Sequence, residues 1–162
     1  MNERLLQIYS FLMRHSVPFS RYCHAPCTTD EEWKAALKKM NIPCALVHTS
    51  LLSLPDGSVL FFLQELSENQ DAAESPVLRG TEPFSLFHTE KILRSLCCDE
   101  HTLSPLSLVL GFQKSFAVAV SSVLRKSEYL CFPCGDNSES IIMRAADFLE
   151  HFAPAAGIKI IG

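Results

Sequence analysis

Apolar residues recur at helical spacing at the start of the chain. Leu5, Ile8 and Leu12 are separated by three or four residues, and the pattern stops before Pro18. Side chains at this spacing lie on one face of an α-helix, so the pattern predicts an amphipathic helix over residues 3–15. The apolar face of this helix needs a partner, which the rest of the chain must supply.

A second helix is marked more clearly by its ends. Thr28 or Thr29 can cap it, acidic residues fill the first turn, and lysines close the last turn. Trp33 begins the apolar stripe between these ends, and Asn41 and Pro43 end the helix. The sequence therefore predicts a short amphipathic helix whose charges match the helix dipole.

From residue 44 the apolar residues are grouped as in β-strands. Two stretches of strong β-formers flank the turn sequence Pro55-Asp56-Gly57 and predict a hairpin. The polar residues 67–83, which include two prolines, predict a surface excursion. The predicted strands cover residues 45–52, 59–66, 84–87, 106–110, 116–121, 129–132 and 140–143, and further helices cover a segment capped by Thr89 and residues 145–152.

The order of these elements mixes hairpins with helical connections. Such an order predicts a mixed α/β (α+β) fold, in which helices pack around a mixed β-sheet. A length of 162 residues with 48% hydrophobic residues is typical of one domain with a sizeable core. Residues 1–152 are interpreted as that domain, and residues 153–162 as a linker-like tail, because the tail begins with alanine and proline.

Charge and cysteine content narrow the function classes. The chain has 14 basic and 18 acidic residues and a net charge of −4, which argues against binding along extended DNA. Its seven cysteines are odd in number and no export signal accompanies them, so free thiols in the cytoplasm are expected. The longest apolar runs are too short to cross a bilayer, so no membrane partner is expected.

Four cysteines offer alternative chemistries. Cys23, Cys27, Cys131 and Cys134 could supply four thiolates to a structural zinc ion, and the last two have the C-x-x-C spacing of a redox motif. That redox motif should open a helix, whereas here it ends a predicted strand. The simpler interpretation is that most cysteines are small core residues, and it leads to the expectation of no metal and no other cofactor.

The sequence contains none of the usual catalytic signatures. It has neither a G-x-S-x-G nucleophile elbow nor a glycine-rich phosphate loop. One segment, residues 101–108 (HTLSPLSL), places polar groups and a proline directly before an apolar stretch. Backbone N–H groups at such a position can point into a pocket, and the same pattern also fits a plain loop that leads into a strand.

Four stretches in this order resemble the YbaK/prolyl-tRNA-synthetase-associated editing domains, which hydrolyse mischarged aminoacyl-tRNA. Residues 23–31 resemble a His-x-Pro segment that leads into a Thr-capped helix, and residues 44–52 resemble the first long strand of the family. Residues 103–108 are similar to the Ser-Pro part of its Gly-x-x-x-Pro loop, and residues 117–149 to its closing strands, turn and last helix. The resemblance spans residues 22–152 and implies a curved mixed sheet or partly open barrel surrounded by helices.

Two positions depart from the family pattern. Its usual strand lysine corresponds to His48, or to Thr49 if the register shifts by one residue, and its loop glycine corresponds to His101. The resemblance implies that loop N–H groups stabilise the oxyanion while a ribose hydroxyl helps to activate water, and a neutral imidazole could add a general base. It implies catalytic roles for His48, His101, Thr102, Leu103 and Ser104, and substrate-binding roles for His24, Thr28, Thr49, Pro105, Cys134, Gly135 and Asn137.

The resemblance implies an aminoacyl-tRNA deacylase that removes alanine or cysteine from tRNA(Pro), in trans or as part of a synthetase. Its partner is then the aminoacylated CCA end of the tRNA, for which a few cations suffice, such as Lys34, Lys38, Arg125 and Lys126. The alternative is a catalytically diverged module of the same family that binds tRNA or a protein partner such as an aminoacyl-tRNA synthetase. The two alternatives differ in whether hydrolysis survives the histidine substitutions.

Overall fold

Helices and strands are mixed along the chain, as the sequence predicts. The computed structural model describes residues 3–41, 43–53, 58–68, 85–86, 102–110, 116–134 and 136–161. The predicted turn at Pro55-Asp56-Gly57, most of the surface excursion and the predicted helix after Thr89 lie outside these residues. Within the described ranges, no helix is both long and apolar enough to span a membrane.

The described elements run in the following order. They are α1 (Glu3–Arg14), β1 (Ser20–Cys23), α2 (Asp30–Met40), β2 (Ala45–Ser53), β3 (Val59–Glu65), β4 (Ser85–Leu86), a 3₁₀ helix (Pro105–Leu110), β5 (Phe116–Val120), α3 (Ser122–Lys126), β6 (Tyr129–Pro133), β7 (Glu139–Arg144), α4 and β8 (Lys159–Ile161). Helix α4 consists of three consecutive segments, of which the middle one is a π-helix: Ala145–Asp147, Phe148–Phe152 and Ala153–Ala155.

The strands form one mixed sheet in the order β1-β7-β6-β2-β3-β5-β8, with β4 beside β2. One edge of β2 pairs with β3, whereas the other edge pairs with β6 only as far as Leu46↔Cys131. That second edge is paired again at Leu52↔Leu86, where it meets β4. Between these points no strand of the described chain pairs with it, so the sheet splits beside residues 47–51.

Strand β2 separates two parts of the core. Val47 and Leu51 face the main cluster, which also holds residues from α1, α4 and the 3₁₀ helix. Leu46 faces the other way, into a smaller cluster with Trp33 of α2. Because successive strand side chains point to opposite faces, β2 has a core face and a face covered by α2.

A buried polar network fixes α1 to the sheet. The hydroxyl of Tyr9 donates to Oε1 of Glu139 at 2.6 Å, and Nε of Arg21 donates to the same oxygen at 2.6 Å. The Arg21 guanidinium also lies 4.9 Å from the centre of the Tyr9 ring. Burial and the Glu139 carboxylate raise the pKa of Tyr9, so its hydroxyl remains a donor.

Both N-terminal helices are confirmed. Helix α1 ends at Arg14, within the predicted range, and Thr29 is the residue that caps α2, since its side chain accepts a hydrogen bond from the Glu32 N–H at 3.2 Å. The hairpin strands β2 and β3 and the later strands β5, β6 and β7 also agree with the prediction. Strand β1 and the short helix α3 were not predicted, because the β1 sequence SRYC has no apolar run and α3 is too short to show helical periodicity.

The strand predicted over residues 106–110 is wrong, since this segment forms the 3₁₀ helix. Its first turn is held locally: the Ser104 hydroxyl accepts from the Leu106 N–H at 3.1 Å, and the Ser104 carbonyl accepts from the Ser107 N–H at 3.1 Å. These short-range bonds occupy groups that a strand would use for a neighbour. A segment with four apolar residues in six fits a buried strand as well as a buried 3₁₀ helix, so hydrophobic periodicity could not distinguish the two structures.

The interpretation of residues 153–162 as a linker-like tail is also wrong. Ala153–Ala155 continues α4 through Pro154, and Lys159–Ile161 forms β8, which pairs parallel with β5. Ala153 is buried and the N–H of Ile158 donates to its carbonyl at 2.8 Å. The alanine- and proline-rich composition resembled a linker, but the segment is packed into the fold.

Candidate active site

A cleft lies at the split in the sheet, beside β2. The parallel pairing of β2 with β6 ends at Leu46↔Cys131, and the cleft opens just beyond that point. It has a volume of about 10 Å³, roughly the space of one water molecule, is partly open to solvent, and receives residues from α2, β2, β6 and the residue that follows β3. We call it the His48 cleft, and it is lined by Asp30, Trp33, Leu46, Val47, His48, Leu66 and Pro133.

His48 reaches this cleft because it is on the α2-covered face of β2. The next residue, Thr49, is buried on the core face, on the same side as Val47 and Leu51. The sequence left both residues open as the counterpart of the family lysine. The structure separates them: His48 is half-buried in the cleft, whereas Thr49 faces the main core.

Trp33 is the central side chain of this region. It comes from α2, is 4% exposed, and contributes to the wall of the His48 cleft. Its Nε1 atom is buried and has no hydrogen-bond partner. A buried N–H without an acceptor is uncommon, because it loses its hydrogen bonds to water on folding without replacement.

A second, narrower cleft lies on the other side of Trp33. Its side chains leave almost no free space between them, and we call it the His24 cleft. It is lined by Tyr22, His24, Trp33, Ala36, Leu37, Met40, Leu46, Cys131 and Ser140. Trp33 and Leu46 line both clefts and form the partition between them.

His24 is held in this second cleft by several contacts. Its Nε2 atom is 3.0 Å from the Ser140 hydroxyl, its Nδ1 atom is 2.9 Å from the Ala25 carbonyl, and its ring meets Trp33 edge-on at 4.9 Å. The Cys27 sulfur is 3.6 Å from Nδ1. Burial raises the pKa of the Cys27 thiol, and the nearby Glu32 carboxylate adds to this, so Cys27 is a protonated thiol and not an activated nucleophile.

The other thiols that the structure describes do not assemble into a metal site. Cys23 is exposed, Cys131 packs on the α2-covered face, and Cys134 belongs to the main core. Among the residues that the structure describes, no three His, Cys, Asp or Glu side chains are grouped so as to hold a metal ion. A hydrogen bond from the Cys131 thiol lowers the pKa of Cys44, which is half-buried in an open groove with Lys34 and Lys38.

The segment implied to be the catalytic loop is buried in the main core. We call residues 102–110 the Ser-Pro segment. Ser104 is fully buried, and its hydroxyl is used to cap the 3₁₀ helix. Thr102, Leu103 and Pro105 are also buried, and Leu103 and Leu106 pack in the main cluster with α1. The side chains of this segment therefore stabilise the fold.

The backbone amides of the Ser-Pro segment differ from its side chains in their hydrogen bonding. Within the described residues, no group accepts a hydrogen bond from the amide N–H of Leu103 or Ser104. Proline at position 105 has no N–H of its own. Among the described residues, the amides of Leu103 and Ser104 therefore have no acceptor, and the segment that carries them packs on the core face of β2, opposite His48.

The other implied site residues are dispersed. Thr28 is exposed, and its hydroxyl donates to Oε1 of Glu32 at 3.1 Å. The Cys134 thiol is buried and donates to the Glu139 carbonyl at 3.8 Å, and burial raises its pKa. The Asn137 carbonyl accepts from the Cys27 N–H at 2.8 Å and so fixes the turn against the His24 segment. His101 and Gly135 lie outside the described residues.

Sequence reasoning missed two residues of this region. Trp33 was assigned only to the apolar stripe of α2, and Ser140 only to a strand. The available signal was that Trp33 is the single tryptophan of the chain. Its unpartnered N–H and the contact of Ser140 with His24 depend on how α2 sits against β2 and β7, so they could not be read from spacing.

Comparison with known proteins identifies the fold. No protein-family model matches the chain, and no match was found among curated proteins. A crystal structure of the hypothetical protein APE2540 is similar, with a TM-score of 0.71, 11% identity and coverage of 95% of this chain and 96% of that one. A candidate trans-editing enzyme for prolyl tRNA synthetase has a TM-score of 0.70 and 12% identity, with coverage of 99% and 96%.

A third similar structure belongs to a longer protein. It is a candidate signal transduction protein from Marinobacter aquaeolei VT8, with a TM-score of 0.59 and 14% identity, and the match covers 96% of this chain and 29% of that one. At these identities the comparisons establish the fold alone. The chain has a mixed α/β fold of the YbaK-like editing-domain type, which confirms the fold class predicted from the sequence.

Proposed function

We propose that this protein is an aminoacyl-tRNA deacylase that removes alanine or cysteine from tRNA(Pro), with the His48 cleft as the acyl site. The observation that supports this most strongly is the position of His48. It occupies the lysine position of the editing-domain pattern, and it lines a cleft at the split between β2 and β6. Crevices where neighbouring strands separate are frequent ligand sites.

The lining of the cleft favours a small apolar group. Leu46, Leu66 and Pro133 give it apolar walls, and its volume of about 10 Å³ excludes a large side chain. A pocket of a synthetase cannot strongly reject an amino acid smaller than its own, so removal of alanine or cysteine is the reaction for which editing is needed.

Hydrolysis requires a base and stabilisation of negative charge on the carbonyl oxygen. In the proposed reaction, water attacks the ester carbon, the bond to the ribose oxygen breaks, and the ribose oxygen receives a proton. Neutral His48 accepts the proton of the attacking water. A hydrogen-bond donor on the same side of β2 as His48 would be needed for the oxyanion, for which one such donor contributes roughly 3–4 kcal/mol.

Two lysines of α2 suit a tRNA end. Lys34 and Lys38 lie one helical turn apart on α2 and line an open groove together with Asn41. Arg125 instead donates to the carbonyls of Val120 and Ile161, so it contributes to the fold. With two lysines and a net charge of −4, binding of tRNA is expected to be weak and to decrease as salt increases.

The test is a deacylation panel. Radiolabelled Ala-tRNA(Pro) and Cys-tRNA(Pro) are incubated with the protein, with Pro-tRNA(Pro) and Ala-tRNA(Ala) as controls, and ester loss is followed over time. We expect faster loss of alanine or cysteine from tRNA(Pro) than in buffer, and no acceleration for Pro-tRNA(Pro). Ester loss at the buffer rate for every substrate would reject the proposal.

One observation favours the second candidate, a diverged module that binds tRNA or a protein partner without hydrolysis. The side chains of the Ser-Pro segment pack on the core face of β2, whereas His48 lies on the α2-covered face. A module of this kind would bind tRNA(Pro) in a fluorescence anisotropy assay and leave its aminoacyl ester intact. The deacylation panel and the binding assay together separate the two candidates.

A further inference from the structure

An open groove at the C-terminal end of α2 brings a thiol next to two lysines. We call it the Cys44 groove; it has a volume of about 500 Å³ and is lined by Lys34, Leu37, Lys38, Asn41, Pro43 and Cys44. We propose that Cys44 is a modification site, at which an anionic low-molecular-weight disulfide such as glutathione disulfide forms a mixed disulfide. This inference does not depend on the proposed function.

Cys44 is one member of a pair of thiols. It directly precedes β2, and Leu46, two residues further along, is the partner of Cys131 in β6. Cys44 packs against the cluster that contains Leu46 and Cys131, and Cys131 is 2% exposed. The Cys131 thiol donates a hydrogen bond to the Cys44 sulfur. A buried donor therefore lies behind the sulfur that lines the groove.

The two thiols differ in access and in acidity. Cys44 is half-buried, and the hydrogen bond from Cys131 lowers the pKa of Cys44, although burial acts in the opposite direction. The same hydrogen bond and burial raise the pKa of Cys131. Since the thiolate is the nucleophile in thiol–disulfide exchange, Cys44 is the thiol that attacks and Cys131 is the donor that keeps its proton.

The lysines of the Cys44 groove select an anionic reagent. Lys34 and Lys38 are exposed, lie one helical turn apart on α2, and both line the groove, and none of the described lining residues is acidic. Each half of glutathione disulfide carries two carboxylates and one ammonium group, so it is attracted to this pair of cations. The volume of the groove lies within the range of roughly 300–1,000 Å³ that is typical of small-molecule sites.

The reaction exchanges one disulfide bond for another. The Cys44 thiolate attacks one sulfur of glutathione disulfide, the S–S bond of the reagent breaks, and a bond forms between Cys44 and the attacked sulfur. The other half leaves as glutathione thiolate and takes up the proton that Cys44 released. Glutathione disulfide is the oxidant, so one glutathione is produced for each Cys44 that is modified.

The test compares two reagents at two cysteines. The protein is incubated with glutathione disulfide or with uncharged bis(2-hydroxyethyl) disulfide, and peptide mapping by mass spectrometry gives the rate of modification at Cys44 and at the exposed Cys23. We expect Cys44 to react with glutathione disulfide faster than Cys23, by a few-fold to about tenfold, although Cys44 is less exposed. Lys38→Gln should slow this reaction about two- to fivefold and leave the rate with the uncharged reagent unchanged.

Lys39→Gln is the matched control, because it removes the same charge from the next position of α2, which does not line the groove. It should leave both rates unchanged. Cys131→Ala should slow both reagents at Cys44 but not at Cys23, because the donor to the Cys44 sulfur is lost. A Cys44 that reacts with glutathione disulfide no faster than Cys23, or equal slowing by Lys38→Gln and Lys39→Gln, would overturn the inference. Both lysines are exposed, so these variants are expected to fold.

Discussion

The two faces of β2 differ in the surroundings of their polar side chains. On the core face, the Ser-Pro segment and α1 enclose a large apolar cluster, and the polar side chain of Ser104 serves only to turn the backbone. On the α2-covered face, Trp33 and His48 line a cleft, and the buried donor of Trp33 has no partner. Unpartnered buried polar atoms occur on both faces, as Thr49 Oγ1 on the core face and Trp33 Nε1 on the other show, and of these two residues only Trp33 lines one of the described clefts.

This comparison predicts the largest loss of stability on the core face. Leu106 is fully buried in the main cluster, so Leu106→Ala is expected to lower the free energy of unfolding by about 2–5 kcal/mol, through lost apolar contact and a cavity. The matched control is Leu37→Ala, a half-buried leucine on the α2-covered face, which should cost less. Urea denaturation measures both. Equal losses of unfolding free energy would mean that the two faces of β2 contribute equally to stability.

A smaller effect is expected at Tyr9, on the same core face. Tyr9→Phe removes a hydrogen bond to the buried Glu139 carboxylate and should cost about 1–3 kcal/mol at neutral pH. The folded pKa of Tyr9 is raised above the unfolded value of about 10, so its contribution is complete below that pH and is lost as the pH rises. The wild type should therefore lose stability faster than Tyr9→Phe above about pH 10. Parallel curves of unfolding free energy against pH would contradict this assignment.

The smallest effect, and of opposite sign, is expected at Thr49. Its hydroxyl is buried on the core face without a hydrogen-bond partner, and valine has nearly the same shape. Thr49→Val is therefore expected to leave stability unchanged or to raise it by about 1 kcal/mol, as a thermal or urea unfolding curve would reveal. Thr28→Val, at an exposed position, is the control. A clear loss of stability in Thr49→Val would mean that its hydroxyl has a partner in solution.

Much of the fold could be predicted because its signals are local. The ends of α2 are set by Thr29 and Asn41, and apolar stretches marked β2, β3, β5, β6 and β7. The Ser-Pro segment was misassigned because a buried 3₁₀ helix and a buried strand have the same apolar composition. The tail was misassigned because the pairing of β8 with β5 joins residues more than 40 positions apart, as in Ala117↔Lys159.

The site was harder to predict for a related reason. The sequence singled out His24 and His48, but it could not decide between His48 and Thr49, because that choice depends on which face of β2 meets α2. Likewise, spacing alone gives Thr102 and Ser104 as candidate polar groups, whereas the fold buries their side chains. Burial and register, which are tertiary properties, determine where each of these side chains lies.

Deacylation by variants of two adjacent residues tests the central claim most directly. His48→Ala and Thr49→Val alter opposite faces of β2, and kcat/KM for Ala-tRNA(Pro) is measured for each beside the wild type. The account predicts a loss of about a hundredfold or more for His48→Ala, because a general base is removed. It predicts near wild-type activity for Thr49→Val. An active His48→Ala together with an inactive Thr49→Val would contradict the account and move the active site to the core face.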